Sequence, residues 1–192
     1  QWLKLQDKDP FDYAKVERKI PASKELNVSF DLQAGQNDKG TLQIEFLDEN
    51  GIACSRIELT DDGIFRLKGG SRFANMMKYE AGKIYHVEAV LSTVDRNIQV
   101  YVDGKRVGLR MFYAPVAAVE RIVFRTGVPR TFPTVDTPAD QTYDLPNAGA
   151  QDPLAEYGIA NVKTSSTDKD SSSVFLKYAD FSHYADYFNS ME

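Results

Sequence analysis

Two neighbouring stretches decide the fold: Tyr85-His86-Val87-Glu88-Ala89-Val90-Leu91, and Ile98-Gln99-Val100-Tyr101-Val102-Asp103-Gly104-Lys105-Arg106-Val107. Apolar side chains fall at every second position: Tyr85, Val87, Ala89 and Leu91, then Ile98, Val100 and Val102. Successive strand residues point to opposite faces, so this alternation predicts strands with one buried and one solvated face. Asp95-Arg96-Asn97 turns the chain between the two stretches. Asp103-Gly104 is a tight hairpin signal, because a two-residue turn needs positive φ and Asp and Gly adopt it at least cost. Val107 and Leu109 begin the return strand.

The same period extends outward. Leu26, Val28, Phe30 and Leu32 alternate with polar residues, and Leu42, Ile44 and Phe46 repeat the pattern. Turns are predicted at Asp48-Glu49-Asn50-Gly51 and Asp61-Asp62-Gly63, with strands through Ile57, Leu59 and Ile64-Phe65-Arg66-Leu67. Ile122-Val123-Phe124 and Tyr157-Gly158-Ile159-Ala160-Asn161-Val162 add two more, and Trp2-Leu3-Lys4-Leu5 reads as an edge strand. Roughly a dozen short strands with closely spaced turns imply two packed sheets. Between Gly127 and Ala155 the periodicity stops, and five prolines lie there: Pro129, Pro133, Pro138, Pro146 and Pro153. Ser165 to Ser173 reads as a polar linker or hairpin loop. Phe181, Tyr184, Ala185 and Phe188 are spaced for a short amphipathic C-terminal helix. The predicted organisation is a sandwich over residues 1–164, then a linker and helical extension over residues 165–192 that points toward a further domain.

Composition limits the function. The chain has 192 residues, 42% of them hydrophobic, enough for a sizeable core. Its net charge of -5 lacks the basic footprint of a nucleic-acid binder. No apolar run reaches the roughly 20 residues of a membrane-spanning helix. The one cysteine, Cys54, can form no intrachain disulfide, and in its strand setting it reads as a small buried hydrophobe.

Catalytic constellations are not evident. A retaining glycosidase needs two carboxylates about 5–5.5 Å apart. The nearest acid groups are Glu45-Phe46-Leu47-Asp48-Glu49 and Asp61-Asp62; Glu45 is expected to face solvent, and the others suit turns. His86 lies on the face opposite Tyr85 and Val87, where a lone histidine is more often a groove residue than a base. Sugar recognition, by contrast, uses aromatic faces with planar polar partners. Phe73, Tyr79, Tyr113, Phe132 and Tyr143 sit outside the regular strand patterns, with Arg72, Arg125 and Arg130 near them in sequence. These eight are the candidate binding residues. Trp2, the sole tryptophan, is expected to seal the end of the sandwich. Phe181, Tyr184, Tyr187 and Phe188 form a candidate domain interface.

The hairpin through Tyr101-Val102-Asp103-Gly104, preceded by Tyr85-His86-Val87, resembles the laminin-G-like, concanavalin A-like jelly-roll domains. Glu120-Arg121-Ile122-Val123-Phe124-Arg125-Thr126-Gly127 and its Pro-rich sequel resemble domains attached to secreted polysaccharide-degrading proteins of Bacteroidetes. The resemblance implies an all-β antiparallel sandwich acting as a non-catalytic accessory domain. Its partners would be a polysaccharide or oligosaccharide and a covalently linked catalytic domain. The setting would be secreted, periplasmic or at a bacterial cell surface. It also implies that a structural calcium ion is open, with Asp9, Asp12, Asp31, Asp103 and Asp180 as oxygen ligands. Two alternatives stand beside it: a glycosidase or polysaccharide lyase in its own right, and a purely structural interaction module.

Overall fold

A computed structural model of the chain describes residues 1–7, 13–127 and 154–166, and the backbone of residues 174–178. These residues form thirteen strands: β1 (Trp2–Asp7), β2 (Lys15–Ser23), β3 (Glu25–Ala34), β4 (Leu42–Leu47), β5 (Ala53–Leu59), β6 (Ile64–Gly69), β7 (Arg72–Lys78), β8 (Ile84–Ser92), β9 (Asn97–Val102), β10 (Lys105–Met111), β11 (Val119–Thr126), β12 (Ala155–Ser166) and β13 (Val174–Tyr178). One sheet has six strands in the order β1-β12-β3-β8-β9-β10, and the other has seven in the order β13-β2-β11-β4-β5-β6-β7. Every pairing is antiparallel. The all-β antiparallel sandwich expected from the alternation is therefore present.

The alternating residues do what their period predicts. Val28, Phe30, Leu32, Val87, Ala89, Leu91 and Val100 from the six-stranded sheet are buried against Ile44, Phe46, Ile57, Phe65, Leu67 and Phe124 from the other. Phe30 meets Phe124 edge to face across the layer at 5.1 Å, and Phe65 meets Tyr85 at 5.7 Å. Such pairs add about 1 kcal/mol beyond the area they bury. The β9–β10 turn has positive φ at both Asp103 (50°) and Gly104 (77°), as a primed two-residue hairpin requires.

Three elements depart from the expected organisation. β7 was not legible, because Arg-Phe-Ala-Asn-Met-Met-Lys has no β-branched residue and its burial does not alternate. At the other end, β12 runs through the expected boundary at residue 164, and β13 pairs with β2. Strand structure thus extends into the segment read as linker. The expected C-terminal helix lies outside the described residues.

Candidate functional site

The outward face of the seven-stranded sheet is unusual. Cross-strand register sets Glu45 beside Arg56 and Arg56 beside Lys68, with Gln43, Glu58 and Arg66 in the next row. These side chains are nearly all buried: Glu17, Glu45 and Glu58 have no exposure, Arg56 2% and Lys68 3%. Glu45 does not face solvent as expected. Arg56 donates to its Oε1 from Nε at 2.9 Å and from Nη2 at 2.7 Å. Arg66 pairs with Glu58, and Glu17 lies 3.3 Å from Lys15 and 3.5 Å from Arg121. Buried charge is costly, and mutual pairing is what makes it tolerable. Desolvation still pushes the Glu58 carboxyl above its ordinary range, against the pull of Arg66. Desolvation likewise lowers the Lys68 ammonium, helped by the neighbouring Arg56 and Arg66 charges.

Three of the predicted binding residues share this face. Phe73 lies on β7 rather than in a loop, with the Arg66 guanidinium 4.3 Å and the Lys68 ammonium 5.1 Å from its ring. Arg125, on β11, is buried with its guanidinium 4.3 Å from the Tyr13 ring. Tyr113 packs on Leu47, Ala53 and Val123, and its N–H donates to the Cys54 carbonyl. They are spread across the sheet rather than gathered in one pocket. Arg72 is exposed at the start of β7. Tyr79 lies between the sheets: it meets Phe65 edge to face and its hydroxyl donates to the Thr60 carbonyl at 2.7 Å. Burial drives its phenol well above the ordinary tyrosine range. Arg130, Phe132, Tyr143, Phe181, Tyr184, Tyr187 and Phe188 lie outside the described residues.

The outward face of the six-stranded sheet is open. One cross-strand row runs Trp2, Ala160, Asp31, His86. His86 Nδ1 is 2.7 Å from Asp31 Oδ1, and Asn161 Nδ2 donates to Asp31 Oδ2 at 2.6 Å. The hydrogen bonds from His86 and then Asn161 hold the Asp31 carboxyl below its ordinary range. Asn161 reaches Asp31 from an irregularity in β12, where it takes a left-handed φ of 53° and the register with β3 shifts. That distortion re-aims a side chain, a common use of a bulge. The His86 N–H of the backbone donates to Asp103 Oδ1 at 2.9 Å, and Glu88 Oε1 is 3.8 Å from His86 Nε2.

Trp2 does not seal the sandwich end. It is 43% exposed, and its indole lies against the backbone of Gly158. A Cβ at Gly158 would meet indole Cε3 at 3.1 Å. Beside it, Lys4 Nζ pairs with Glu156 Oε2 at 2.6 Å, and Gln6 Nε2 donates to the same oxygen. The readable signal was Gly158: a glycine inside a strand pattern marks a close approach by another group.

Chemically, a carboxylate-oriented imidazole can move a proton. Cys54, the other reactive side chain, is buried in the opposite sheet with its thiol pushed far up by desolvation. Of the open calcium ligands, Asp31 and Asp103 both engage His86, while Asp9, Asp12 and Asp180 lie outside the described residues. Among the described residues no cluster of three or more His, Cys, Asp or Glu is arranged to hold a metal ion. No helix among them is long and apolar enough to cross a membrane.

Comparison with known proteins follows the geometry. The chain is similar to a solved sialidase at 87% identity, with a TM-score of 0.76; the match covers all of this chain and 18% of the sialidase. It is also similar to sheep galectin-11 in complex with glycerol, at 14% identity over 77% of this chain and 96% of the galectin, with a TM-score of 0.49. Trypanosoma rangeli sialidase matches at 16% identity over 73% of this chain and 20% of that one, with a TM-score of 0.48. The chain therefore spans about a fifth of the length of the sialidases it matches. No curated protein matches it. A family model described as "Sialidase-like, CBM domain" matches residues 1–141, nearly three quarters of the sequence, and the chain belongs to that family.

Proposed function

We propose that this chain is a non-catalytic, glycan-binding accessory domain of a longer glycoside hydrolase of the sialidase type. It would hold a neighbouring catalytic domain on polysaccharide or oligosaccharide. The family match over residues 1–141 carries this reading. The near-identity to a stretch amounting to 18% of a sialidase supports the linked catalytic domain. Polymeric glycan is met outside the cytoplasm, so we place the parent protein in the periplasm, at the cell surface or in the medium of a bacterium. A glycan array probed with the purified chain tests the binding. Wild type is expected to bind. Wild type that binds no glycan overturns the reading.

The His86–Asp31 pair favours a second reading, in which the domain itself cleaves glycan. The paired acids of the other sheet are buried and neutralised by arginine and lysine, which removes them from that role. Release of sugar by the chain alone, abolished in His86→Ala, would replace the accessory reading.

A further inference from the structure

We infer that the outward face of the six-stranded sheet holds a site for a neutral pyranose, with Trp2 as its stacking platform and Asp31, His86 and Asn161 as its hydrogen-bonding wall. The inference rests on the glycan-binding reading above and assigns it a location and a ligand class.

The sheet register sets the dimensions. Trp2 and Asp31 flank Ala160 in one row, so they stand two strand spacings apart, about 9–10 Å. The indole bends over Gly158 on β12, and Ala160, between Trp2 and Asp31, is small and buried. A sugar stacked on the outer face of the indole would reach the Asp31 wall. The C–H face of a pyranose is apolar and its hydrogens are slightly positive, which suits the negative face of an indole. Trp2 is braced against Gly158 yet 43% exposed, so it is held in place with area left to offer.

The opposite wall is prepared for hydroxyl groups. Asp31 Oδ1 takes the bond with His86 and Oδ2 takes the one from Asn161, and each carboxylate oxygen keeps a lone pair for a second donor. His86 Nε2 is 3.8 Å from Glu88, too far for a hydrogen bond, and so can reach a ligand. Asn161 offers its amide oxygen. The three groups fix one another, so little side-chain entropy is lost when a sugar binds.

Charge selects the ligand class. Among the described residues, Asp31, Glu88 and Glu156 stand near Lys4 and Lys163, Lys4 is already paired with Glu156, and Arg106 lies two strands from Glu88 in its row. No guanidinium stands in the Trp2–His86 row to take a carboxylate in two parallel bonds. A sialic acid or uronic acid is therefore disfavoured, and an uncharged sugar is favoured.

Trp2 is the only tryptophan, so its fluorescence reports this site directly. The experiment titrates the wild-type chain with a neutral oligosaccharide and with its sialylated counterpart, following indole emission, acrylamide quenching and calorimetry. The neutral sugar is expected to shift the emission to the blue and protect it from quenching. The sialylated form should bind at least threefold more weakly. Trp2→Ala and Asp31→Asn should each lower affinity tenfold or more, with Lys78→Ala, at the exposed end of β7 on the other sheet, unchanged. Binding with no change at Trp2, equal affinity in Trp2→Ala, or tighter binding of the sialylated form overturns the site. Failure of the chain to bind any glycan overturns the accessory reading along with it.

Discussion

Asp31 is placed by one strand and kept charged by two others. His86 comes from β8 and Asn161 from β12, and Lys163 adds a favourable charge. A folded-state pKa below the unfolded one stabilises the fold above the unfolded value, and that contribution is lost as the pH falls through the folded pKa. The unfolded value is about 3.9. Glu156, lowered by Lys4 and Gln6, behaves in the same sense. Asp31→Asn should therefore be less stable than wild type at pH 7, with the gap closing as the pH falls below about 4. Urea midpoints measured from pH 7 to pH 2 check this; a gap that stays constant with pH would sink it. At this scale the sequence was uneven. His86 was readable as an outward polar residue from its phase against Tyr85 and Val87. Its bond to Asp31 was not, because strands 55 residues apart in sequence had to pair first. Tyr79 looked like a loop aromatic, and only the packed sandwich shows it between the sheets with its hydroxyl satisfied.

The central strands of the seven-stranded sheet make a different point about elements. β4 and β5 are buried at every position, outward as well as inward. Alternation of apolar and charged residues predicted a solvated outer face, and the charges are there, but they are enclosed and paired. Arg56→Ala on β5 takes away both hydrogen bonds to Glu45 Oε1. Removing one partner of a buried pair leaves the other charge poorly compensated, so the variant should lose about 3–5 kcal/mol. Chemical denaturation measures it, and a loss below about 1 kcal/mol would mean that the pair behaves as if solvated. β7 shows the limit of periodicity: it pairs with β6 alone, and its burial does not alternate.

At the scale of the whole molecule, both sheets close over one core, and Cys54 reports on its integrity. The thiol is fully buried, and its backbone carbonyl is capped by the Tyr113 N–H at 3.0 Å. Desolvation raises its pKa so far that no reactive thiolate forms in the folded chain. A thiol reagent at neutral pH should label Cys54 at the global unfolding rate and no faster. Labelling that outruns the loss of the sandwich's circular dichroism would reveal a local opening of β5.

Period-two alternation and turn chemistry were enough for the class of fold, the central hairpins and most of the strands, because these are set by local sterics and by the burial of one face. The resemblance carried by the Tyr101-Val102-Asp103-Gly104 hairpin led to the same fold, and the one carried by Glu120 to Gly127 led to a carbohydrate-related family. What stayed hidden was everything that depends on which strand lies next to which. The row from Trp2 through Ala160 and Asp31 to His86 draws on β1, β12, β3 and β8, elements that span the described chain from one end to the other. No local rule places those side chains together. Strand order and register do, and they are decided only when the two sheets pack and the cross-strand pairing is complete.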